Sequence, residues 1–384
     1  MTKNHRHFKI IRRGRHFCQG TARISAHQVI KNIDFTSRGG EDFVILAGDI
    51  GGTKTLLGFF DFHSGVHSPQ SLHSYPSRDY PSLESILARF MEEVGPLLTK
   101  SPLESAAFGV AGPVISGRCQ TTNLPWIIET GSLAKTLRLS PKSVALANDL
   151  VSIAWGITIA LPESLKTINE GVRNPQGTRV VVAPGTGLGE AIIGMHDGTP
   201  LPLPTEGGHV DWAPTCPEEI PLLQWLWDRF GHASPERLIS GPGLAHLYHF
   251  HAQSPPPGGT LLPPDLPEEK VPETVSLEAE KGNPLALAVM KHFWRLIAAE
   301  AGNMALKSLA TGGVILAGGI PEKIFPFLDR TAFMDTFTAK GRYRQLLTTI
   351  PVTLSKDPDV GLKGAAEIAR RLARSDHSSE RSPA

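Results

Sequence analysis

The sequence predicts an α/β protein with two domains. Its 384 residues exceed what a single hydrophobic core usually supports. Predicted strands and helices alternate along the chain, and a unit of strand, glycine-rich turn and strand occurs twice. We therefore expect one such unit in each domain, as a weak internal duplication.

The first unit is a β-hairpin at the beginning of the predicted ordered chain. Its strands cover residues 43–48 and 55–60, and the strands of the second unit cover 178–183 and 191–194. The elements predicted between the two units are a helix over 82–98, strands near 106–110 and 143–147, and a helix over 150–159.

The C-terminal part begins with a proline-rich segment. Residues 254–272 contain seven prolines and no periodic pattern, which predicts a surface insertion. Asn283 and Pro284 are typical of the cap and first position of a helix. The remaining predicted elements are a strand over 314–317, a helix over 361–372 and a disordered polar tail over 375–384.

Composition places the chain among soluble globular proteins. It is 40% hydrophobic and 20% charged, and no apolar stretch approaches the roughly 18 residues of a membrane span. The three cysteines, Cys18, Cys119 and Cys216, are widely separated. They argue against a disulfide framework and a four-cysteine zinc site, and they favour a reducing, cytoplasmic location.

Charge is distributed unevenly along the chain. The overall net charge of +1 combines a net +8 over residues 1–40 with a net −7 over residues 41–384. The acidic body does not fit a binder of nucleic-acid phosphates. We expect residues 1–42 to be a disordered basic extension. Their arginine-rich composition resembles a transit peptide, but a solvated tail or an over-extended translation start fits better.

The turn of the first hairpin carries a candidate phosphate site. Gly51 and Gly52 allow backbone amides to approach a phosphate together with the Thr53 hydroxyl. Asp49 is placed to hold the water shell of a Mg²⁺ ion. An ordinary Gly-Gly hairpin turn is the alternative, but the aspartate and the threonines favour the phosphate site.

The turn of the second hairpin has a similar composition. Gly185, Thr186 and Gly187 lie in a G-x-G-x-G pattern that enters a strand. A dinucleotide fingerprint has the pattern G-x-G-x-x-G and enters a helix, so a dinucleotide site is disfavoured. The turn complements the first one as a candidate phosphate site.

Two further clusters carry polar side chains. Asn148 and Asp149 separate a strand from a helix, where either is a good helix cap, but an aspartate at a strand end also suits a proton acceptor. Glu206 and His209 offer the acceptors and donors that sugar hydroxyls require. Glu236, by itself, fits an exposed glutamate at the start of a helix.

Together these motifs resemble the bacterial-type glucokinases, which are sugar kinases of the actin-like ATPase superfamily. The resemblance extends from about residue 43 to residue 372. The matching stretches are Asp49–Thr53, Phe108–Pro113, Thr122–Trp126, Asn148–Asp149, Gly185–Gly189, Glu206–Asp211, Glu236–Leu244 and Ala317–Ile320. The branch with a cysteine-rich zinc motif is not matched, because only Cys216 follows His209.

The resemblance implies a fold and a set of roles. The expected fold is the two-domain, ribonuclease H-like fold of actin-like ATPases, with an active cleft between a small domain (43–158 plus 357–374) and a large one (159–356). Asp149 is implied as the catalytic base. The implied glucose-binding residues are Asn123, Asn148, Asp149, Glu206, His209 and Glu236. The implied Mg-ATP elements are Asp49, Gly51, Gly52, Thr53, Gly185, Thr186, Gly187, Gly318 and Gly319.

We therefore expect ATP-dependent, Mg²⁺-dependent phosphorylation of D-glucose to D-glucose 6-phosphate, the first step of glycolysis. The resemblance further implies a homodimer, and we expect neither a nucleic-acid nor a membrane partner. The alternatives are a kinase for another hexose, a sugar-sensing regulator that uses the basic extension on DNA, and a sugar-independent ATPase. Residues 1–40 lack a helix-turn-helix pattern, which disfavours the regulator, and the Glu206–His209 cluster disfavours the ATPase.

Overall fold

The computed structural model describes residues 43–98, 101–121 and 123–379. The predicted basic extension over 1–42, and residues 380–384 of the predicted tail, lie outside the described residues. Among the described residues, no helix is both long enough and apolar enough to cross a membrane.

Fourteen strands and eleven α-helices make up the described part of the chain. The strands are β1 (Val44–Ile50), β2 (Lys54–Asp61), β3 (Ser71–Pro76), β4 (Leu103–Val110), β5 (Val114–Ile115), β6 (Arg118–Gln120), β7 (Ile127–Glu129), β8 (Val144–Asn148), β9 (Leu165–Asn169), β10 (Arg179–Pro184), β11 (Leu188–His196), β12 (Thr199–Thr205), β13 (Gly313–Leu316) and β14 (Val352–Ser355). The helices are α1 (Leu83–Leu98), α2 (Thr130–Leu137), α3 (Asp149–Thr158), α4 (Ile220–Phe230), α5 (Gly241–His251), α6 (Val271–Glu280), α7 (Pro284–Lys307), α8 (Gly319–Lys323), α9 (Arg330–Thr338), α10 (Arg344–Thr348) and α11 (Val360–Ser379).

Two mixed sheets share one central arrangement. The first has the order β3-β2-β1-β4-β8, and the second has the order β12-β11-β10-β13-β14-β9. In each sheet the hairpin predicted from the sequence is antiparallel, and the first strand of the hairpin is followed across the sheet by two parallel strands. These are β4 and β8 in the first sheet and β13 and β14 in the second. This correspondence is the repetition that the two glycine-rich turns predict. A third, small sheet, β5-β6-β7, was not predicted.

The parallel strands bring the candidate motifs to common edges. In the first sheet, Ile50 is level with Val110, which is level with Asn148, so β1, β4 and β8 end together. In the second sheet, Val182 is level with Leu316, so the turns that follow β10 and β13 leave the same edge. Carboxyl ends of parallel strands are the usual place for ligand sites in α/β proteins.

Helices α3 and α11 pack so closely that glycine is required at their crossing. A Cβ atom at Gly364 would fall on the carbonyl oxygen of Ser152, and one at Gly156 would fall on the carbonyl oxygen of Val360. Helix α11 also covers β1 and β4 with small side chains such as Ala365 and Ala369. The C-terminal helix is thereby part of the first sheet's core, although it follows the second sheet in sequence.

The core of the second sheet is larger and surrounds helix α7. Phe293, Leu296 and Ile297 of this helix are buried against the sheet and against helices α5, α6 and α9. The predicted start of α7 is confirmed, because the Asn283 side chain accepts a hydrogen bond from the Leu285 amide.

Two boundaries differ from the sequence-based prediction. Helix α11 continues to Ser379, beyond the predicted helix end at residue 372, and no glycine or proline interrupts the sequence between Gly364 and Pro383. The proline-rich segment lacks regular structure only as far as Pro267. Pro272 lies in the first turn of α6, where proline favours a helix.

Candidate functional site

The first glycine-rich turn connects β1 and β2 and is held from outside by Ser77. The Gly51 amide donates to the Lys54 carbonyl at 3.0 Å. The Ser77 hydroxyl donates to the Gly51 carbonyl at 2.7 Å, and the Ser77 amide donates to the Thr53 carbonyl at 3.0 Å. Thr53 remains exposed. The turn is therefore fixed while its outer face stays open to a ligand.

Asn123 lies directly against this turn. A Cβ atom at Gly52 would come within 2.6 Å of the Cβ atom of Asn123. Thr122, the preceding residue of the same predicted motif, lies outside the described residues. The close approach of Asn123 brings a candidate sugar-binding residue next to a candidate phosphate turn.

Asp49 is a partly buried carboxylate near the end of β1. Burial raises its pKa to about 6, with Lys54 opposing that shift and Asp359 adding to it. The chain approaches closely here, because a Cβ atom at Gly361 would lie 3.3 Å from Asp49 Oδ2. The approach of Gly361 was not predicted from the sequence, and it places the start of helix α11 beside the first turn.

Asn148 and Asp149 have different structural roles. Asn148 caps helix α3, because its Oδ1 accepts from the Leu150 amide at 2.9 Å and its Nδ2 donates to the Gly112 carbonyl at 3.2 Å. Asp149 is the first residue of the helix, and its Oδ1 also accepts from the Leu150 amide at 2.9 Å. The cap is therefore secured by Asn148, without a need for Asp149.

The electrostatics of Asp149 link the predicted clusters. Burial raises its pKa to about 6, the hydrogen bond from Leu150 lowers it, and the charges of Asp49 and Glu206 raise it further. The pKa of Asp149 is therefore raised in part by a carboxylate beside the first glycine turn and by one from the second half of the chain.

The second glycine-rich turn connects β10 and β11. The Gly185 amide donates to the Gly187 carbonyl at 2.8 Å, and the Gly185 carbonyl accepts from the Gly241 amide, at the start of α5, at 2.8 Å. Thr186 at the tip is exposed. Gly318 belongs to the same region, because its φ is +83° and a Cβ atom there would lie 2.6 Å from the Pro184 carbonyl oxygen. Gly319 follows as the first residue of helix α8.

Glu236 lies against the second turn and not at the start of a free helix. Its Oε2 accepts from the Leu188 amide at 3.0 Å, and a Cβ atom at Gly187 would lie 2.5 Å from the same oxygen. Glu236 is held there by a short helical turn, Pro235–Arg237, whose Glu236 carbonyl accepts from the Ser240 hydroxyl at 2.7 Å.

Glu206, His209 and Glu236 form one polar cluster. His209 Nδ1 lies 3.7 Å from Glu236 Oε1, and His209 Nε2 lies 4.0 Å from Glu206 Oε2. The side chains of Glu206, His209 and Glu236 are 69%, 58% and 30% exposed. The cluster therefore presents to open space two carboxylates that accept hydrogen bonds and an imidazole ring that can both donate and accept. Such a group matches the hydroxyls of a sugar.

The predicted site residues therefore connect from one cluster to the next. Asn123 touches Gly52, Asp49 and Glu206 both act on Asp149, and Glu236 joins His209 to the second glycine turn. Sequence reasoning missed Ser77, which fixes the first turn, and no motif around it signals that role. It also missed the buried Glu190, although that residue directly follows the Gly185–Gly189 motif.

The arrangement of the candidate site suits a group transfer between two bound molecules. Two turns with open glycine backbones suit phosphate oxygens, the Glu206–His209–Glu236 cluster suits hydroxyl groups, and Asp149 lies where these parts meet. No group of three or more histidine, cysteine or acidic side chains among the described residues has the arrangement of a metal-binding cluster. The described residues therefore leave one or two carboxylates, Asp49 among them, for a metal ion, which is how proteins commonly hold Mg²⁺ beside phosphates.

Known proteins match the chain over nearly its whole length. A family model described as Glucokinase matches residues 46–372. The glucokinase of Nostoc punctiforme is 34% identical over 350 residues, which cover 86% of this chain and 99% of that protein. The crystal structure of a glucokinase from an Antarctic psychrotroph matches with a TM-score of 0.72 and 27% identity, covering 85% of this chain and 98% of the other.

A second solved structure holds ligands. The ROK family glucokinase from Streptomyces griseus, in complex with glucose and AMPPNP, matches with a TM-score of 0.59 and 20% identity, covering 85% of this chain and 99% of the other. At that identity the match shows a common fold. Together with the psychrotroph structure, it confirms the fold class expected from the sequence.

Proposed function

The chain belongs to the glucokinase family, and on that premise we propose that it transfers the γ-phosphoryl group of ATP to the 6-hydroxyl of D-glucose. The product is D-glucose 6-phosphate, and the reaction is the first step of glycolysis. The observation that carries the proposal is the position of Asp149, which follows β8 at the edge where β1 and β4 also end. The second glycine motif lies next to it, because a Cβ atom at Gly189 would fall on the adjacent Leu150 side chain.

Asp149 acts as the general base. Its pKa of about 6 keeps the carboxylate ionised at neutral pH, yet close enough to neutrality to accept a proton readily. The 6-hydroxyl oxygen forms a bond to the γ-phosphorus while the bond from that phosphorus to the β,γ-bridging oxygen breaks. The hydroxyl proton passes to Asp149, and ADP leaves with the bridging oxygen.

The polar cluster holds the sugar. Glu206 and Glu236 accept hydrogen bonds from hydroxyl groups, and His209 between them donates or accepts. Asn148, fixed by its bonds to Leu150 and Gly112, and Asn123 beside Gly52 complete the sugar side. The S. griseus neighbour supports this proposal, since it holds glucose and AMPPNP on the same fold.

The glycine turns hold the nucleotide. Gly51, Gly52 and Thr53 face the terminal phosphates from the first sheet, and Gly185, Thr186 and Gly187 face them from the second. Gly318 and Gly319 lie on the adenosine side of the second turn, next to Pro184. Backbone amides in such turns suit phosphate oxygens because they donate without a side chain in the way.

Asp49 fits a Mg²⁺ ion held through water. It is a partly buried carboxylate at a candidate phosphate turn, and its charge raises the pKa of Asp149, so a divalent cation would relieve the repulsion between the two carboxylates. When bound, Mg²⁺ neutralises phosphate charge. We assign the remaining work of positioning and proton transfer to the residues named above.

The two halves of the chain are proposed to be two domains that close over the ligands. Residues 43–158 with 357–374 carry the first sheet and α11, and residues 159–356 carry the second sheet. Closure excludes water, which otherwise competes with the 6-hydroxyl for the phosphoryl group.

We further propose a cytoplasmic homodimer without nucleic-acid or membrane partners. Cys119 and Cys216 are free thiols among the described residues, which fits a reducing compartment. Sedimentation velocity of the full chain tests the dimer, and the location of a fluorescent fusion tests the compartment.

The deciding experiment incubates the full chain with Mg-ATP and a panel of hexoses and measures the sugar phosphate formed. We expect glucose 6-phosphate, loss of activity with EDTA and recovery with added Mg²⁺. Turnover of mannose or fructose in preference to glucose identifies a kinase for another hexose. Tight glucose binding without turnover identifies a sugar-sensing regulator and contradicts the proposal.

A further inference from the structure

Glu190 lies directly beneath the turn that carries Glu206 and His209. It belongs to β11, where it pairs with Thr205 of β12, and only 1% of the residue is exposed. A Cβ atom at Gly207 would fall on Glu190 Oε2. The Thr205 hydroxyl donates to the Glu190 carbonyl at 3.2 Å and accepts from the Gly207 amide at 3.1 Å. Side chain and backbone of Glu190 therefore both support the segment 205–209, called here the sugar turn.

No described residue gives the Glu190 carboxyl group a hydrogen bond. Both of its oxygens are buried without a partner. Burying an ionised carboxylate without partners is unfavourable in free energy, so a carboxyl group in such surroundings is normally protonated and neutral. The sugar turn thus packs against a carboxyl group whose charge state decides whether the contact beneath Gly207 is favourable or unfavourable in energy.

The charges that face Glu190 come mainly from helix α7. Glu300, which is 4% exposed, has one oxygen without a hydrogen bond and one that accepts from Asn303 at 3.0 Å. Lys307 Nζ lies 3.6 Å from Glu300 Oε1 and is half exposed. Lys340 donates to Asn303, and its charge interacts with that of Glu300.

These surroundings favour the protonated form of Glu190. Burial and the Glu300 carboxylate raise its pKa to about 8, while Lys307 opposes the shift. Glu206 and His209 of the sugar turn lie above it on the exposed side, together with the open space that they face. Ionisation of Glu190 therefore adds an unpaired negative charge between Glu300 and the sugar turn.

We propose that Glu190 is a positioning residue for the sugar turn, which it supports as a neutral carboxylic acid packed against Gly207. The inference rests on the proposed role of Glu206 and His209 in glucose binding. Loss of the proton drives the carboxylate toward water, and the sugar turn covers that route. Glucose binding then weakens, while the phosphate turns and Asp149 are not displaced.

The test is the pH dependence of KM for glucose in the full chain at saturating Mg-ATP. We expect KM to rise by about tenfold between about pH 7 and pH 9.5, with kcat changing much less, because the binding-competent form is the protonated one. Glucose affinity measured by calorimetry without ATP should show the same rise.

Three variants give the direction of the effect. In E190Q, the amide mimics the neutral acid. Its KM for glucose should therefore stay, over the whole pH range, near the KM that the wild type shows at about pH 7. In E300Q, removal of a negative neighbour lowers the pKa of Glu190 and moves the rise in KM to lower pH. In K307M, removal of a positive neighbour moves it to higher pH.

E367Q provides a matched control, because Glu367 is equally buried but pairs with Arg370 and Arg371 on α11. Its KM profile should follow the wild type. A flat wild-type KM profile, or shifts of E300Q and K307M in the same direction, overturns the proposal even if E190Q fails to fold. Failure of the proposed function is separate, since it appears as absent glucose phosphorylation by the wild type at every pH.

Discussion

Glu236 Oε2 accepts a hydrogen bond from the Leu188 amide at 3.0 Å, which ties a candidate sugar-binding carboxylate to the second glycine turn. The other oxygen of the same carboxylate lies 3.7 Å from His209 Nδ1. One side chain therefore contacts both the turn that we propose for the phosphates and the ring that we propose for the sugar, so its loss should disturb both ligands.

We predict that E236A raises KM for both glucose and ATP and lowers kcat/KM by about 10- to 10²-fold, since a charge-assisted hydrogen bond typically contributes about 1.5 to 3 kcal/mol. Steady-state kinetics with each substrate varied in turn measures this. E206A is the matched control, because Glu206 approaches His209 without bonding to the second turn. It should raise KM for glucose alone, and an unchanged KM for ATP in E236A would contradict the link.

The D149N substitution separates the chemical role of Asp149 from a structural one. The cap of α3 is secured by Asn148, so folding should survive the change. Loss of a general base typically lowers kcat by about 10² to 10⁴-fold. We predict a fall in kcat of that size with glucose affinity, measured by calorimetry, roughly preserved.

A melting curve completes that experiment. Because the pKa of Asp149 is raised in the folded chain, its ionisation opposes folding as pH rises from the ordinary aspartate pKa of 3.8 through about 6. D149N removes this cost, so at neutral pH it should be at least as stable as the wild type. Turnover within a few-fold of wild type would show that the base lies elsewhere.

The pH dependence of kcat/KM follows from the same group. Burial, with the charges of Asp49 and Glu206, raises the pKa of Asp149 to about 6, and Asp49 itself has a pKa of about 6. Protonation below that value removes the base, so kcat/KM for glucose should fall about tenfold or more per unit of pH below about 6. Initial rates over a pH series, with stability checked at each pH, measure this fall in kcat/KM at acidic pH. Full activity at about pH 5 would be incompatible with Asp149 as the base.

Local sequence signals predicted the elements whose causes are local. The two hairpins follow from apolar runs around glycine turns, and the start of α7 follows from Asn283 and Pro284. The support of the site is different, because it comes from residues distant in sequence. Ser77 reaches Gly51 across 26 positions, and Glu236 reaches Leu188 across 48. Neither contact leaves a periodic or compositional trace, so only the folded chain reveals it.

The same limit explains why Glu236 was ambiguous in the sequence. A glutamate after proline at the start of a helix is typical of an exposed first turn. In the folded chain the Ser240 hydroxyl bonds to the carbonyl of Glu236 and the Gly241 amide bonds to that of Gly185, which turns the Glu236 side chain toward β11. The resemblance to a family indicated its role, and the three-dimensional contacts give the physical reason.

A pair of alanine substitutions in the second glycine turn tests the phosphate assignment. A Cβ atom at Gly185 meets no protein atom within 4 Å, whereas one at Gly187 would lie 2.5 Å from Glu236 Oε2. Neither Gly185 nor Gly187 has a positive φ, so alanine at either position should cause little backbone strain. The difference between them therefore reports on what occupies the space beside each glycine.

We predict that G185A leaves the melting temperature unchanged and raises KM for ATP by about tenfold, because the added methyl group projects into space that a phosphate would occupy. G187A should raise KM for both substrates, because it displaces Glu236 from Leu188 and thereby from His209. Kinetics and melting curves of both variants, measured beside G198A as a distant turn control with no neighbour within 4 Å, give the comparison. Since Gly198 has a φ of +75°, the control should cost stability without a change in either KM. Equal KM values for ATP in G185A and the wild type would show that no phosphate approaches this turn.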